Sequence, residues 1–257
     1  MAAMKKFMLL GLGLIAAVVV APPHVSAKTL VVDLSERVVR IEADFTGTDI
    51  LLFGTTPGIG DVVVVVRGPV QDQVVRKKGR VAGVWFNREE IGFESVPSYY
   101  AVASNRPIQE FANPRELTDF QIGLEYLILE PSPERIAEGR LEPGRIRAFR
   151  KALIKQKIDR GLYSPKTSDV TFVSDQLWRM DLKLPANIIT GTYGVDAYLF
   201  QDGEVAAIET SLIQVRKFGF EAATYDMAHR EPLAYGIMAI AIAVVAGWLA
   251  SVAFRKT

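Results

Sequence analysis

Between Leu233 and Phe254 lie 22 residues without one charged side chain, LAYGIMAIAIAVVAGWLASVAF. As a helix rising ~1.5 Å per residue they extend ~33 Å, which matches the hydrocarbon core of a bilayer. The stretch predicts a single transmembrane helix over residues 233–254. Arg255 and Lys256 follow at once, and the positive-inside tendency puts residues 255–257 in the cytoplasm as a short tail. Everything before the span then faces the other side of the membrane.

A second apolar run, residues 7–21, follows Lys5 and Lys6 and is broken by Pro22 and Pro23. It is short for a span and of the right length for a signal-peptide core. Val25, Ser26 and Ala27 supply compact residues at the cleavage positions, so residues 1–27 read as a signal peptide and the mature chain begins at Lys28. The expected address is a bacterial inner membrane, crossed once, with the bulk of the protein in the periplasm.

Removing residues 1–27 takes two lysines and no acid, so the 30 basic residues become 28 against 29 acidic ones. A near-neutral, exported chain offers no large basic field, and nucleic acid is not an expected partner. There is no cysteine, which removes disulfides, thiolate catalysis, cysteine zinc sites and a lipidated cysteine anchor. Of the two histidines, His24 leaves with the signal peptide and His229 precedes the span by a few residues. This argues against a Ser-His-Asp triad, a histidine base or a histidine metal site. No catalytic residue, metal ligand or cofactor is therefore expected.

About 200 residues remain for the exported part. Residues 30–34 alternate apolar and polar, as do Val39, Ile41, Ala43 and Phe45 with their charged neighbours, the period-2 pattern of strands with one wet face. Gly47-Thr48 reads as a turn and residues 49–53 as a further strand. The run DVVVVVR, 61–67, carries five consecutive valines and suits a strand buried on both faces. Strands are also expected at 74–77, 81–87 and 99–104.

Residues 105–165 differ in texture and predict a helical hairpin laid against the strands. One helix opens at Asn113-Pro114 and runs to about Leu129. A second covers 144–160, with Ile146, Phe149 and Leu153 on one face and Arg147, Lys151 and Lys155 off it. Alternation returns at Trp178, Met180, Leu182 and Leu184 and again at Tyr193, Val195, Ala197 and Leu199. Asp202-Gly203 is a two-residue hairpin turn, and the returning strand, 204–216, is expected to bulge near Thr210-Ser211. The fold class is mainly β: an immunoglobulin-like sandwich over 28–218 with a helical insertion at about 105–165, a juxtamembrane linker over 219–232 and one carboxyl-terminal span.

The segment WRMDLKLPANIITGTYGVDAYLFQDG, 178–203, resembles the corner between the fifth and sixth strands of immunoglobulin-like and fibronectin-like sandwiches. There a tyrosine hydroxyl ties the corner back to the backbone. The resemblance gives Tyr193 that place, while Val195 stands where an antibody domain has its second cysteine, so the likeness is one of architecture. Taken whole, with RIEADFTGTDILLFGTT (40–56), DVVVVVRGP (61–69) and PSYYAVASNRP (97–107), the chain resembles a family of alphaproteobacterial transmembrane proteins of unestablished function. That resemblance implies an integral-membrane partner, a permease similar to sulfite and organosulfonate exporters, beside which members of the family look to be encoded.

Other stretches were weighed as sites. Gly54-Thr-Thr-Pro-Gly58-Ile-Gly60 is glycine-rich but lacks a Gly-Lys-Ser/Thr ending and precedes a strand, so it reads as a sandwich loop rather than a phosphate cradle. For Trp85 and the pair Tyr99-Tyr100, alternation predicts that one of each neighbouring pair fills the core. Ser104-Asn105-Arg106 reads as a turn cap or an anion-binding cluster. Residues 144–160 carry seven basic side chains against Asp159 alone, so Arg147, Lys151 and Lys155 are a candidate surface for lipid or a partner, unless the upstream acids, Glu110 to Glu142, neutralise it. In the span, Ala239, Ala243, Gly247 and Ser251 recur every four residues, a small-residue stripe suited to helix association with a membrane partner or a second copy.

These readings give a membrane-anchored periplasmic interaction protein, an accessory subunit of an inner-membrane transporter or envelope complex. The alternative is a periplasmic ligand-binding receptor or a hydrolase that works without histidine. A cleft converging two carboxylates, or Ser with Lys, would favour the alternative.

Overall fold

The computed structural model describes residues 30–81, 84–132, 142–218 and 227–254, with no account of the side chains of 81–88 and 253–254. The expected signal peptide (1–27), the side chains of Trp85, Phe86 and Asn87, the acids Glu134 and Glu138, most of the expected linker and residues 255–257 fall outside this description.

Two sheets form a sandwich. One contains β1 (Val31–Leu34), β3 (Gly47–Thr55), β11 (Leu177–Pro185) and β10 (Thr171–Phe172), in that spatial order. The other runs β2 (Val38–Ile41), β13 (Glu204–Lys217), β12 (Gly191–Gln201), β4 (Asp61–Arg67), β7 (Tyr100–Ser104) and β9 (Ser168–Asp169). The orders β1-β3-β11-β10 and β13-β12-β4 are the A-B-E-D and G-F-C orders of an immunoglobulin-type sandwich. Between the sheets Trp178, Met180, Leu182 and Leu184 of β11 meet Val62, Val64 and Val66 of β4 and Val195, Ala197 and Leu199 of β12. Trp178 is held against β3 at Gly54, where a Cβ atom would sit 2.6 Å from the indole and 2.3 Å from the Val31 carbonyl oxygen.

All five valines of β4 are buried, because the six-stranded sheet has a core on each face. Val62, Val64 and Val66 point into the sandwich, while Val63 and Val65 join Tyr100, Val102, Tyr198 and Phe200 in a second core on the outer face. The same double burial takes in both Tyr99 and Tyr100, which lie on opposite faces of the sheet. The expectation that only one of the pair is buried assumed a sheet with one wet face.

The outer core is covered by the insertion and by a long hairpin. β5 (Val70–Val81) and β6 (Val84–Pro97) pair antiparallel and, with β8 (Glu130–Pro131), make a third, small sheet. Their lengths, 12 and 14 residues, exceed the expected 74–77 and 81–87. The insertion is not a helical hairpin. Its first helix, α1 (Pro114–Asp119), has only six residues and starts where the Asn113 side chain accepts from the Arg115 N–H. It stops far short of Leu129, because Gln121 (φ 51°) and Gly123 (φ 112°) turn the backbone into the left-handed region. Among the described residues the one long helix before the span is α2 (Pro143–Asp159), whose Phe149 and Leu153 enter the outer core.

Two strand details also differ from expectation. β2 ends at Ile41, and a turn closed by Phe45 N–H donating to the Glu42 oxygen takes Ala43 out of the strand. In β13 the bulge falls at Ala206, opposite the Leu199/Phe200 step, and the strand is regular at Thr210-Ser211. Ile208 and Leu212 both lie on the outer face, 45% and 52% exposed, so the inward set does not shift at Thr210-Ser211. The Asp202-Gly203 turn has φ of 52° and 90°, the paired left-handed values of a type I′ hairpin. Beyond the linker, α3 (Pro232–Phe254) is the apolar helix, with 21 residues, Pro232–Val252, of mean hydropathy 2.2.

Candidate interaction surfaces

Tyr193 is buried in the sandwich, and its hydroxyl donates to the Ile189 oxygen at 2.9 Å, closing the corner between β11 and β12. Its neighbour across the core, Tyr99, donates to the Lys183 oxygen at 2.8 Å. Both hydroxyls are pushed above their ordinary pKa by burial.

On the other face Arg67, which ends the valine run, joins the sheet to the insertion. Its guanidinium meets Asp196 at 2.6 Å, donates to the Phe120 oxygen at 2.7 Å and lies 5.9 Å from the Tyr100 ring centroid. The Tyr100 hydroxyl donates to the Gln121 oxygen and accepts from the Gly123 N–H, and burial raises its pKa to about 12. These bonds fix the tight turn that ends α1. An arginine closing a doubly buried strand was the sequence signal for this network, which sequence reasoning passed over.

Ser104-Asn105-Arg106 closes on itself. Arg106 grips Asp61 with both ends of its fork, at 2.7 and 2.6 Å, while Asn105 bonds Asp61 and the Val62 N–H. The Arg106 hydrogen bond holds the Asp61 carboxyl below its ordinary value despite partial burial. With its fork already filled by a carboxylate, the cluster is a strand-end clamp. The glycine-rich loop joins β3 to β4 across the two sheets and exposes Ile59 at 97%.

A cleft of about 590 Å³ opens on the side of the sandwich. It exists because the chain changes sheets between β9 and β10: β10 pairs with β11 only at Trp178 and Arg179. From Met180 to Pro185 the outer edge of β11 has no strand beside it among the described residues. The floor of the cleft is Val64, Tyr99, Met180 and Leu182; its rim includes Ser164, Asp169, Asp181 and Lys183. The Ser164 hydroxyl donates to the Lys166 oxygen, and among the described residues the rim side chains make no hydrogen bond or ion pair to one another. No group of three His, Asp or Glu side chains able to hold a metal is found among the described residues.

The basic helix has an exposed and a buried side. Arg147, Lys151 and Lys155 are exposed. Lys155 pairs with Asp159 at 2.7 Å within the helix, and Arg145 reaches Glu89 of β6 at 3.2 Å. Arg150 donates to the backbone oxygens of Glu125 and Leu127, and among the described residues to no upstream carboxylate. Arg147 and Lys151 have no ion-pair partner among the described residues. Lys157 is 6% exposed and lies 5.9 Å from the Tyr163 ring centroid; burial, helped by the Arg160 charge, lowers its pKa. In α3, Ala239, Ala243, Gly247 and Ser251 are all exposed along the helix, as are its large aliphatic residues.

A β-sandwich with a second outer core, followed by a small-residue apolar helix, defines a class, that of β-rich domains carried on a carboxyl-terminal apolar helix. A family described as "Putative transmembrane protein (Alph_Pro_TM)" matches residues 29–256, and the chain belongs to that family. No curated protein matches the chain.

Proposed function

We propose that this protein is an interaction module held on the bacterial inner membrane by α3, with its sandwich in the periplasm and its carboxyl terminus in the cytoplasm, and that it serves an integral-membrane complex as an accessory subunit. A transporter similar to sulfite or organosulfonate exporters is the partner the family resemblance suggests. The observation that carries this reading is the unpaired edge of β11 above the side cleft. Exposed strand edges take up extended segments of other chains through main-chain hydrogen bonds, with neighbouring pockets receiving alternate side chains. The Lys183 oxygen is already taken by the Tyr99 hydroxyl, and the rest of the edge is flanked by the alternating charges Asp181 and Lys183 and by Pro185. The receptor or hydrolase reading draws on the same cleft, but its rim would need two groups in bonding reach, and Ser164 is already engaged elsewhere.

The test is photocrosslinking in intact membranes from a photoreactive residue at 183, beside the cleft, and from one at 59, on the exposed loop. A discrete adduct with a multi-span membrane protein from 183, and none from 59, is the expected result. No adduct from 183, or the same adducts from both, would remove the edge as the contact.

A further inference from the structure

Strand directions locate the basic segments relative to the anchor. β13 ends at Lys217 and leads through residues 218–231 into α3, so the sandwich has a near end at Lys217 and a far end at the Asp202-Gly203 turn. Arg67 pairs with both Gly194 and Tyr100, which puts the end of β4 and the start of β7 toward the near end. The β5–β6 hairpin is inserted there, its base closed by Gly68 N–H to the Tyr99 oxygen and Ser98 N–H to the Pro69 oxygen. The carboxyl-terminal end of α2 is tied to the same place: Asn187, in the corner before β12, donates to the Arg160 oxygen at 2.9 Å, and the Tyr163 hydroxyl donates to the Pro97 oxygen at 2.8 Å. Its other end meets the hairpin through Arg145 and Glu89. Hairpin and α2 thus form one lobe rooted at the end of the sandwich that leads to the membrane span.

That lobe carries the basic side chains. In β5, Arg76, Lys77, Lys78 and Arg80 are all exposed, and Arg76 is bonded to Glu90 at 2.9 Å. Lys77 and Lys78, like Arg147 and Lys151 in α2, have no ion-pair partner among the described residues. With 14 residues between Phe218 and Glu231, the linker reaches at most ~50 Å, and the 12 residues of β5 extend the lobe by ~40 Å. A lobe nearly as long as the fully drawn tether, rooted beside it, is held within reach of the bilayer surface.

We propose that Lys77, Lys78, Arg147 and Lys151 lie against anionic phospholipid headgroups of the bilayer that holds α3, so that the lobe fixes the height and tilt of the sandwich over the membrane. The chemistry is that of exposed lysine and arginine near a negatively charged leaflet: long, flexible cations meeting phosphates without a shaped pocket, and screened by salt. The inference rests on the anchor and not on the identity of any protein partner.

The absence of cysteine makes the test clean, since Ala148→Cys on the exposed side of α2 gives the full chain a single attachment point. The dye-labelled chain is placed in nanodiscs of phosphatidylcholine alone, or with roughly one-third phosphatidylglycerol, each containing headgroup-labelled acceptor lipid. Energy transfer is expected to rise at least about twofold with the anionic lipid, and to fall back in ~0.5 M salt, where the screening length drops below ~5 Å. The combined change Lys77→Glu, Lys78→Glu, Arg147→Glu and Lys151→Glu is expected to abolish the rise. Equal transfer in the two lipids, or a rise that survives both salt and charge reversal, overturns the lipid contact while leaving the anchor intact. Equal transfer together with a crosslink from position 148 to a protein in native membranes assigns the surface to an acidic protein instead. A chain that stays out of the nanodiscs overturns anchor and inference together.

Discussion

A single phenol at position 193 connects two parts of the sandwich, its ring packed between the sheets and its hydroxyl bonded to the backbone four residues earlier. Replacing it with phenylalanine keeps the ring and deletes that bond, so Tyr193→Phe is expected to lower unfolding free energy by about 0.5–1.5 kcal/mol, with some added cost if the Ile189 oxygen is left unpaired. Denaturant melts of the full chain in detergent read this directly, and an unchanged midpoint would remove the corner from the stabilising set. Charge at the residue scale is more diverse. Asp61 and Arg106 satisfy each other at a strand end, Arg67 meets a carboxylate, a carbonyl and a ring, while Arg147 and Lys151 are left to the solvent. The first two arrangements hold the fold together, and the last is available for something outside it.

Among the elements, α3 has the least to pack against within its own chain, and it carries its small side chains in one row. Helices in lipid associate by close van der Waals approach, which a glycine permits and a leucine blocks. Gly247→Leu is expected to reduce crosslinked dimer or partner recovered from membranes several-fold without affecting insertion, whereas Ile242→Leu, off the row, changes nothing. Equal recovery from both would reduce the helix to a tether. The elements also show what the sequence could and could not disclose. β4, β11 and β12 were legible because each alternates cleanly or is apolar throughout, and the span because nothing else is that long and uncharged. The hairpin β5–β6 was underestimated: strands were expected only over 74–77 and 81–87, whereas Lys78, Gly79, Glu89 and Glu90 continue the paired strands. The insertion was misread as two helices because Gln121, a residue with no reputation for left-handed backbone, ends the first after six residues. Of the surfaces, the basic side of α2 could be seen in the residues, but the cleft could not: it arises where the chain changes sheets, and no local pattern marks that choice.

At the scale of the whole molecule, the sandwich leads into α3 at its carboxyl end, and the proposed topology requires its amino end to be released. Amino-terminal sequencing of protein extracted from membranes is expected to start at about Lys28, because the preceding apolar run is of signal-peptide length. A sequence starting at Met1 would reject the cleavage and leave the chain a second hydrophobic segment at its amino end, with Lys5 and Lys6 on the same side as Arg255 and Lys256. The two cores share one wall, the six-stranded sheet, with the valines of β4 alternately facing each. Cutting out residues 105–165 would strip Val63, Val65, Tyr100, Val102, Tyr198 and Phe200 of the part of their cover that the β5–β6 hairpin does not supply, and turn apolar sheet surface toward water. The insertion is therefore not an ornament on a self-sufficient sandwich: the six-stranded sheet is built as a wall with an oily side on both of its faces, and what covers the second side is part of the fold.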